Sequence, residues 1–589
     1  MTRVFVLSVS GLETGRRVAD ALDAELEGRF SGVDRWVDDH GGALRESHAA
    51  GEAIVHVGAL GALVRLLAPV LGPKATDPPV IAVAEDASAV IPVLGGHHGA
   101  NDLARKVGGS LGVTPAITTA SDLAFGVALD DPPEGWHLAN PENYKSFMTR
   151  LLSGEAVRLE GSMPWLEGAA LPIVMDSGLT IRASDRAAHP VAETLTYHPE
   201  HLALGVGCER DTEPSEVIAL AEATLAEAGL APESVAAVVS VDLKMDEPAV
   251  HALAIALNRP ARFFKPERLD AETPRLENPS KVVFRAVGCH GVAEAAALAA
   301  AGPDGMLLVD KRKSKRATCA IARAERVIDA MSTGAPRGRL FVVGIGPGIA
   351  DWRTPEVDRM VTEATDLVGY SLYLDLLGSF ARGKTCHDFQ IGQERDRVIA
   401  ALNLAAQGKT VALVSSGDPG IYAMASLVFE CLETGGRVDW NRLAVEIAPG
   451  ISAMQACAAR VGAPLGHDFC AISLSDLLIP WAVIENRLHA AADGDFVVAL
   501  YNPASERRRW QIVRALEVLG AKRPSETPVI LARALGRSEE AISVTQLIDF
   551  DTGTVDMLSL VMVGNSQTRI MGRWVHTPRG YGVGGRLRR

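Results

Sequence analysis

Aromatic residues make up only 5% of this 589-residue chain, and its seven cysteines (208, 289, 319, 386, 431, 457 and 470) include no CxxC pair. The odd, scattered set excludes a disulfide framework and a zinc ribbon, and no resident metal is expected. Uninterrupted apolar runs of about 18 residues are also missing, so no membrane span is expected. The opening MTRVFVLSVSGLETGRRV is too short in its apolar part for a signal segment, and a soluble cytoplasmic protein is the expectation. Basic charge is in deficit as well: 58 Lys and Arg against 72 Asp and Glu leave a net charge of −14. That sign excludes a protein whose main work is neutralising nucleic-acid phosphates, so any anionic ligand must be met by local basic clusters.

What remains is a globular composition, 48% hydrophobic and 22% charged, with 56 glycines. Few aromatics and many glycines favour α/β layers with tight turns. The length exceeds what one core supports, and about one domain per 150 residues suggests three or four units. RVFVLSV at 3–9, AIVHVGA at 53–59 and PVIAVAED at 79–86 read as strands, each followed by a helical stretch, with a helix opening near Ala100 behind the Gly95-Gly96 pair. Alternation of this kind predicts parallel sheets covered by helices. Proline and polar residues at 131–147 mark a boundary near 135. The expected organisation is 1–135, a small insert at 136–200, a third α/β unit at 201–325 with a strand at KVVFRAVG, a linker at 326–337, and a large α/β domain at 338–589.

Three glycine-rich turns follow apolar strands in that last domain. Gly344-Ile345-Gly346-Pro347-Gly348 lacks the features of a dinucleotide fingerprint, because Pro347 removes a donor and no clean helix start follows. Ser415-Ser416-Gly417-Asp418-Pro419-Gly420 sets a carboxylate at the carboxyl end of a strand, where α/β sheets bind ligands. Ala448-Pro449-Gly450-Ile451-Ser452-Ala453 opens a helix. Each turn taken singly reads as chain reversal with a cap; three in one domain point to a ligand.

GIGPG at 344–348, VGYSLYLDLL at 368–377, SSGDPGIYAMAS at 415–426, APGISAMQA at 448–456, ISLSDLLIPW at 472–481, ALYNPASERR at 499–508 and VGNS at 563–566 resemble the tetrapyrrole methylase family. Within that family the similarity is to the enzymes that methylate C-17 of precorrin-3B in cobalamin biosynthesis, over about residues 338–589. The resemblance implies two α/β lobes, S-adenosylmethionine (SAM) as cofactor, a precorrin substrate and a homodimer. It implies that Gly346 and Pro347 border the cofactor cleft, that Gly417, Asp418 and Ile421 contact SAM, that Ser452 and Ala453 continue the wall, and that Tyr501, Asn502 and Ala532 complete the adenosine pocket. A polycarboxylate macrocycle requires basic partners, and Arg507, Arg508, Arg533 and Arg537 are the candidates. Ring contraction accompanies C-17 methylation in the family, with Asp476 and His467 as candidate proton carriers. The cobalt-bearing counterpart, cobalt-factor III, is the alternative substrate.

The N-terminal half carries TDPPVIAVAEDASAVIPVLGGHHGANDLARKVG at 76–108, ITTASD at 117–122, GVGCERDT at 205–212, SVDLKMDEPAV at 240–250, VGCHGVAEAAAL at 287–298 and KSKRATCAIAR at 313–323. These segments resemble the cobalt-precorrin-5A hydrolase family, which implies opening of a ring lactone with loss of a two-carbon fragment. His97, His98, Lys244, Glu247 and Glu294 are the polar groups available for it. The sequence has GGHHGAND where that family commonly shows a serine-glycine-histidine run. Two readings stay open for this half: an active hydrolase, or a non-catalytic module that carries a tetrapyrrole.

Overall fold

The computed structural model describes residues 2–72, 76–118, 120–187, 191–505 and 508–580, in two units, Met1–Arg337 and Gly338–Arg589. In the first unit, β-branched runs alternate with helices as the periodicity predicts. β1 (Thr2–Val6), β2 (Leu26–Gly28), β3 (Arg35–Trp36), β4 (Ala53–Val57), β5 (Val80–Val83) and β6 (Val90–Leu94) form a sheet in the order β3-β2-β1-β4-β5-β6. It is parallel except for β6, which runs antiparallel to β5. Val4, Val55 and Ile81 pack into the core on one face while Phe5, Ile54 and Val80 pack on the other, which explains why these strands are apolar throughout. The helix expected near Ala100 runs Asn101–Leu111, behind a turn in which Gly95 and Gly99 take φ of 64° and 91°. Glycine is needed at both.

A four-stranded sheet follows, in the order β7-β10-β9-β8, from β7 (Trp136–Leu138), β8 (Val157–Glu160), β9 (Leu179–Ala183) and β10 (Thr194–Pro199). The third sheet, β13-β12-β11-β15-β14, contains β11 (Leu202–Cys208), β12 (Val235–Val241), β13 (Ala261–Phe264), β14 (Met306–Lys313) and β15 (Ala317–Arg323), the last two an antiparallel hairpin at its edge. One expectation fails here: KVVFRAVG is not a strand but a helix, Lys281–Val287. The Ser280 hydroxyl accepts from the Val283 N–H at 3.3 Å, and Gly288 closes the other end at φ 87°, so the two caps override the β-branched pair. Residues 331–335 lie along β13: Phe263 and Ala335 exchange backbone bonds, and the Arg262 guanidinium donates to the Thr333 carbonyl at 2.7 Å.

The second unit has two principal sheets. β16 (Arg339–Gly344), β17 (Asp366–Tyr370), β18 (Thr385–Phe389), β19 (Thr410–Ser415) and β20 (Ala444–Ala448) form an all-parallel sheet in the order β18-β17-β19-β16-β20. β21 (Gly462–Ala463) joins a small ribbon with β27 (Arg569–Met571) and β28 (Trp574–His576), while β22 (Phe469–Ser473), β23 (Val497–Tyr501), β24 (Pro528–Arg533), β25 (Ala541–Gln546) and β26 (Ser559–Val563) form a mixed sheet, β22-β23-β26-β24-β25. The two sheets are the two lobes of a multidomain α/β protein. Among the described residues no helix is long and apolar enough to cross a membrane.

His56 on β4 is fully buried, and its ring nitrogens find no hydrogen-bond partner among the described residues. Burial first, and the nearby His40 ring second, push the imidazole down to about 4, against a smaller opposing pull from Glu85. The unfolded chain takes up this proton near 6.5 and the folded chain only near 4, so stability present above pH 6.5 is lost as pH falls through that window. The N-terminal unit should lose roughly 3 kcal/mol between pH 7 and pH 4 from this residue. Urea unfolding of the wild type and of His56→Leu at both pH values checks this, since the variant should show a correspondingly flatter profile.

Candidate active site of the C-terminal unit

β19, β16 and β20 are neighbours, and a glycine turn leaves the carboxyl end of each. The turns meet backbone to backbone. Gly346 donates to the Gly417 carbonyl at 3.3 Å and Gly417 donates back to Gly346 at 2.9 Å. A Cβ on Gly450 would stand 2.1 Å from the Gly417 oxygen and 2.5 Å from that of Gly344, so no other residue fits there without displacing main chain. Gly348 approaches the second lobe in the same way, where a Cβ would lie 2.3 Å from the Gly536 oxygen.

Asp418 locks two of these turns together. Its Oδ1 accepts from the Gly420 N–H at 2.8 Å and its Oδ2 from the Gly450 N–H at 3.2 Å. Both oxygens therefore serve the protein's own backbone, which gives Asp418 a positioning role between the two turns. Ile421 is half-buried beside it. Ser452 is also occupied internally: its hydroxyl caps the helix Ala453–Val461 by accepting from Gln455 at 3.2 Å, and the Gln455 side chain returns a bond to the Ser452 N–H at 2.9 Å. The Tyr501 hydroxyl accepts from the Met454 N–H at 3.2 Å, at the same helix start. Burial pushes the Tyr501 phenol up, and that hydrogen bond works against the rise. Asn502, exposed and at φ 48°, donates to the Ser473 hydroxyl at 3.1 Å. Ala532 is only 1% exposed and lies in the core of its lobe.

Tyr422 was not singled out by the sequence pattern. It sits in the left-handed region at φ 52°, donates its hydroxyl to the Ala471 carbonyl at 2.8 Å, and sets its ring 5.3 Å from that of Tyr501, joining the turn after β19 to the second lobe. Ser415, at the end of β19, keeps a buried hydroxyl with no partner among the described residues. The Arg537 guanidinium donates to the Pro347 carbonyl at 3.3 Å, a second link between lobes. A hydroxyl inside an apolar strand end and a tyrosine in a turn carry no signal of their own in one sequence.

The candidate substrate arginines are mostly engaged. Arg508 donates to the carbonyls of Leu474 at 2.8 Å and Asn502 at 3.0 Å, with Asp476 at 3.8 Å, and Asp476 accepts from Gln511 at 3.0 Å. These contacts hold the SLSDLL and YNPAS segments together and give Arg508 and Asp476 a structural part in joining them. Arg533 pairs with Asp556 at 2.5 Å. Arg507 lies outside the described residues. His467 is exposed, 3.6 Å from Asp468.

In the N-terminal unit, Lys244 and the fully buried Glu247 pair at 3.3 Å, and Glu247 also accepts from the Asp211 N–H at 3.1 Å. His98 is exposed in the turn after β6, on a different sheet, and the side chain of His97 lies outside the described residues. Glu294 accepts from the Asn278 N–H and side-chain amide and from the Lys311 N–H, at 3.0, 2.8 and 2.9 Å. Burial acts to raise this carboxyl, but the hydrogen bonds outweigh it and hold Glu294 below its usual range. It is a structural acceptor.

Residues 339–551 match the model of the Tetrapyrrole (Corrin/Porphyrin) Methylases, while 42–122 and 202–322 match those of the Cobalamin synthesis G N-terminal and C-terminus. A precorrin-3B C(17)-methyltransferase of Sinorhizobium sp is 46% identical over 250 residues, 41% of this chain and 97% of the relative. The chain belongs to the tetrapyrrole methylase family. A probable cobalt-factor III C(17)-methyltransferase of Salmonella typhimurium is 44% identical over 41% of this chain and 99% of its own. The cobalamin biosynthesis protein CobIJ of Mycobacterium tuberculosis, of which the chain covers 49%, is also 44% identical over 42% of this chain. The solved structure of the methyltransferase CobJ shares 47% identity over 41% of this chain and 100% of that one, with a TM-score of 0.39. The methylase unit is thus the C-terminal one, and the chain is a methyltransferase with cobalamin synthesis G-like segments ahead of it.

Asp418→Ala would strand the Gly420 and Gly450 N–H groups and loosen both turns. A stability loss of about 1–3 kcal/mol is expected by denaturant titration. Calorimetry should show at least tenfold weaker SAM binding, and an unchanged dissociation constant would refute the positioning role.

Proposed function

We propose that the methylase unit transfers a methyl group from SAM to C-17 of precorrin-3B, with ring contraction, in cobalamin biosynthesis. The observation that carries this reading is the convergence of three glycine turns at the carboxyl ends of adjacent parallel strands, in a unit that spans 97% of a C-17 methyltransferase. The residues fit a nucleoside-sulfonium cofactor. The unpartnered Ser415 hydroxyl lies buried beside the turns, and small residues at Gly417 and Ala453 leave room for flat or bulky groups. SAM, when bound, supplies both the electrophilic methyl and its leaving group. The chain's own work is placement: the 417–421 turn and the start of the helix Ala453–Val461 hold the cofactor, while Tyr422 and Arg537 fix one lobe against the other. Arg537, partly buried at the Pro347 turn, is the candidate that still sits at the cleft for a substrate carboxylate. The reading extends to a homodimer in the cytosol, as the family resemblance implies, and to a lactone-hydrolase-like N-terminal unit.

Incubation of the full chain with methyl-labelled SAM and either precorrin-3B or cobalt-factor III tests the assignment. Label should enter the macrocycle from one of them, and the preferred acceptor decides between the cobalt-free and cobalt-bearing substrates. Absence of label from both would sink the reading.

A further inference from the structure

In the C-terminal unit the helix Glu394–Ala406 buries Val398, Ala401, Leu402 and Ala405, and the same stripe, one turn ahead of Ala401, carries Arg397. A charge stands at an apolar position. Arg397 is only 4% exposed, and burial holds its guanidinium below its usual range against the opposing pulls of Glu394 and Tyr373. An arginine so placed is normally matched by a carboxylate or by several carbonyls. The buried Arg262 follows that rule, donating to the carbonyls of Thr333 at 2.7 Å, Gly334 at 3.1 Å and Met331. Arg397 does not. Of its five N–H groups, one reaches an oxygen, the Gln390 carbonyl at 3.2 Å. Among the described residues Nε has no partner, Nη1 meets only the Met424 thioether at 3.9 Å, and no carboxylate pairs with the group.

These donors stand at the ligand end of the sheet. Gln390 directly follows β18, and Met424 opens the helix Met424–Thr434 just past the Gly417–Ile421 turn, so both mark carboxyl ends of parallel strands. That helix has no side-chain cap at its start, and its own N–H groups add positive character there. Tyr373 lies in the field of two guanidiniums: burial pushes its phenol up, while Arg537 and then Arg397 pull it down. Glu394 is the carboxylate nearby, and its Oε1 accepts from the Gly392 N–H at 2.9 Å. Arg523, a second buried guanidinium with one carbonyl partner, sits elsewhere: it donates to Phe496 just before β23, at the amino end of that strand, with the Asp495 charge beside it.

Met424 is half-buried, and an unbranched thioether is the neighbour that can repack at least cost. Behind it waits an anion seat. SAM carries two cationic centres against one carboxylate, so a pair of guanidiniums repels it. A carboxylate arm on an anionic ring is attracted.

We propose that Arg397 is a specificity-determining residue of the methylase unit: Met424 swings aside, and the guanidinium receives one carboxylate arm of the macrocyclic acceptor beside the cofactor turn. The substrate class rests on the methylase reading of this unit; the unmatched guanidinium does not.

Methyl transfer by the full chain, with macrocycle and SAM varied separately, tests this. Arg397→Met removes the charge and should raise KM for the macrocycle at least tenfold, with KM for SAM and its calorimetric dissociation constant within twofold of wild type. Arg397→Lys keeps the charge and should recover most of the loss, which a packing role alone does not predict. Met424→Glu supplies the missing carboxylate from the chain itself, at a helix start that favours it. It should be at least as stable as wild type in denaturant titration and raise the macrocycle KM by a similar factor, and it decides the matter where Arg397→Met does not fold. A macrocycle KM within twofold of wild type in the folded variants, or a loss confined to kcat or to KM for SAM, would overturn the proposal. Fluorescence titration with uroporphyrin III, a polycarboxylate of this class, separates the two readings. If the wild type methylates no macrocycle, the methylase reading fails; weaker uroporphyrin binding by Arg397→Met than by wild type then still supports the seat, and equal binding overturns it.

Discussion

The C-terminal unit depends on one contact set that involves almost no side chain: the main chains of Gly344, Gly417 and Gly450 pressed together at the carboxyl ends of β16, β19 and β20. Three strands can end at one point only if the loops leaving them occupy almost no volume. Asp418 then converts close approach into a fixed arrangement by accepting from two of the loops. The helix start at Ser452 and Tyr501, and through Tyr422 the second lobe, are hung on that arrangement. A site assembled this way is preorganised by sterics, and its shape survives side-chain fluctuation because so few side chains define it.

Charge follows a different logic. An acidic surface total does not prevent anion binding, because what a ligand feels within a Debye length is the local set. In the C-terminal unit most arginines that looked available are engaged with carbonyls and carboxylates, and serve to join segments distant in sequence. In the N-terminal unit Glu294 is held by amide donors, and the Lys311 ammonium beside it donates to the Asn278 carbonyl at 3.0 Å. Planar, engaged arginines suit such fixed joints.

Much of the fold was legible because it rests on local rules. Apolar strand runs followed by glycine turns located β1, β4, β5, β16, β19 and β20, and their alternation with helices predicted the parallel sheets that form. The exception at Lys281–Val287 shows where such rules compete: valine pairs argue for a strand, and a serine cap and a left-handed glycine argue for a helix, with the caps prevailing on a surface that offers no strand partner. The site was legible as motifs but not as roles. Asp418, Ser452, Arg508 and Asp476 stand out in the sequence, and in the structure each makes hydrogen bonds to backbone or to a neighbouring side chain. Sequence spacing reveals that a polar residue stands in a turn, not which of several partners claims it once the loops converge. Ser415 and Tyr422 needed the third dimension outright.

Tyr422 has a consequence for how this protein can change. Its backbone stands in a conformation that glycine would adopt freely and that costs tyrosine of the order of 1 kcal/mol. Replacing it with glycine would relax the turn and at the same stroke delete the only atoms that reach Ala471 and the Tyr501 ring from that position. Local comfort and stiffness across the cleft are therefore in opposition at a single residue. A chain drifting under selection for stability alone would be drawn toward the relaxed turn, and a chain that must keep two lobes in register has reason to retain the strained aromatic.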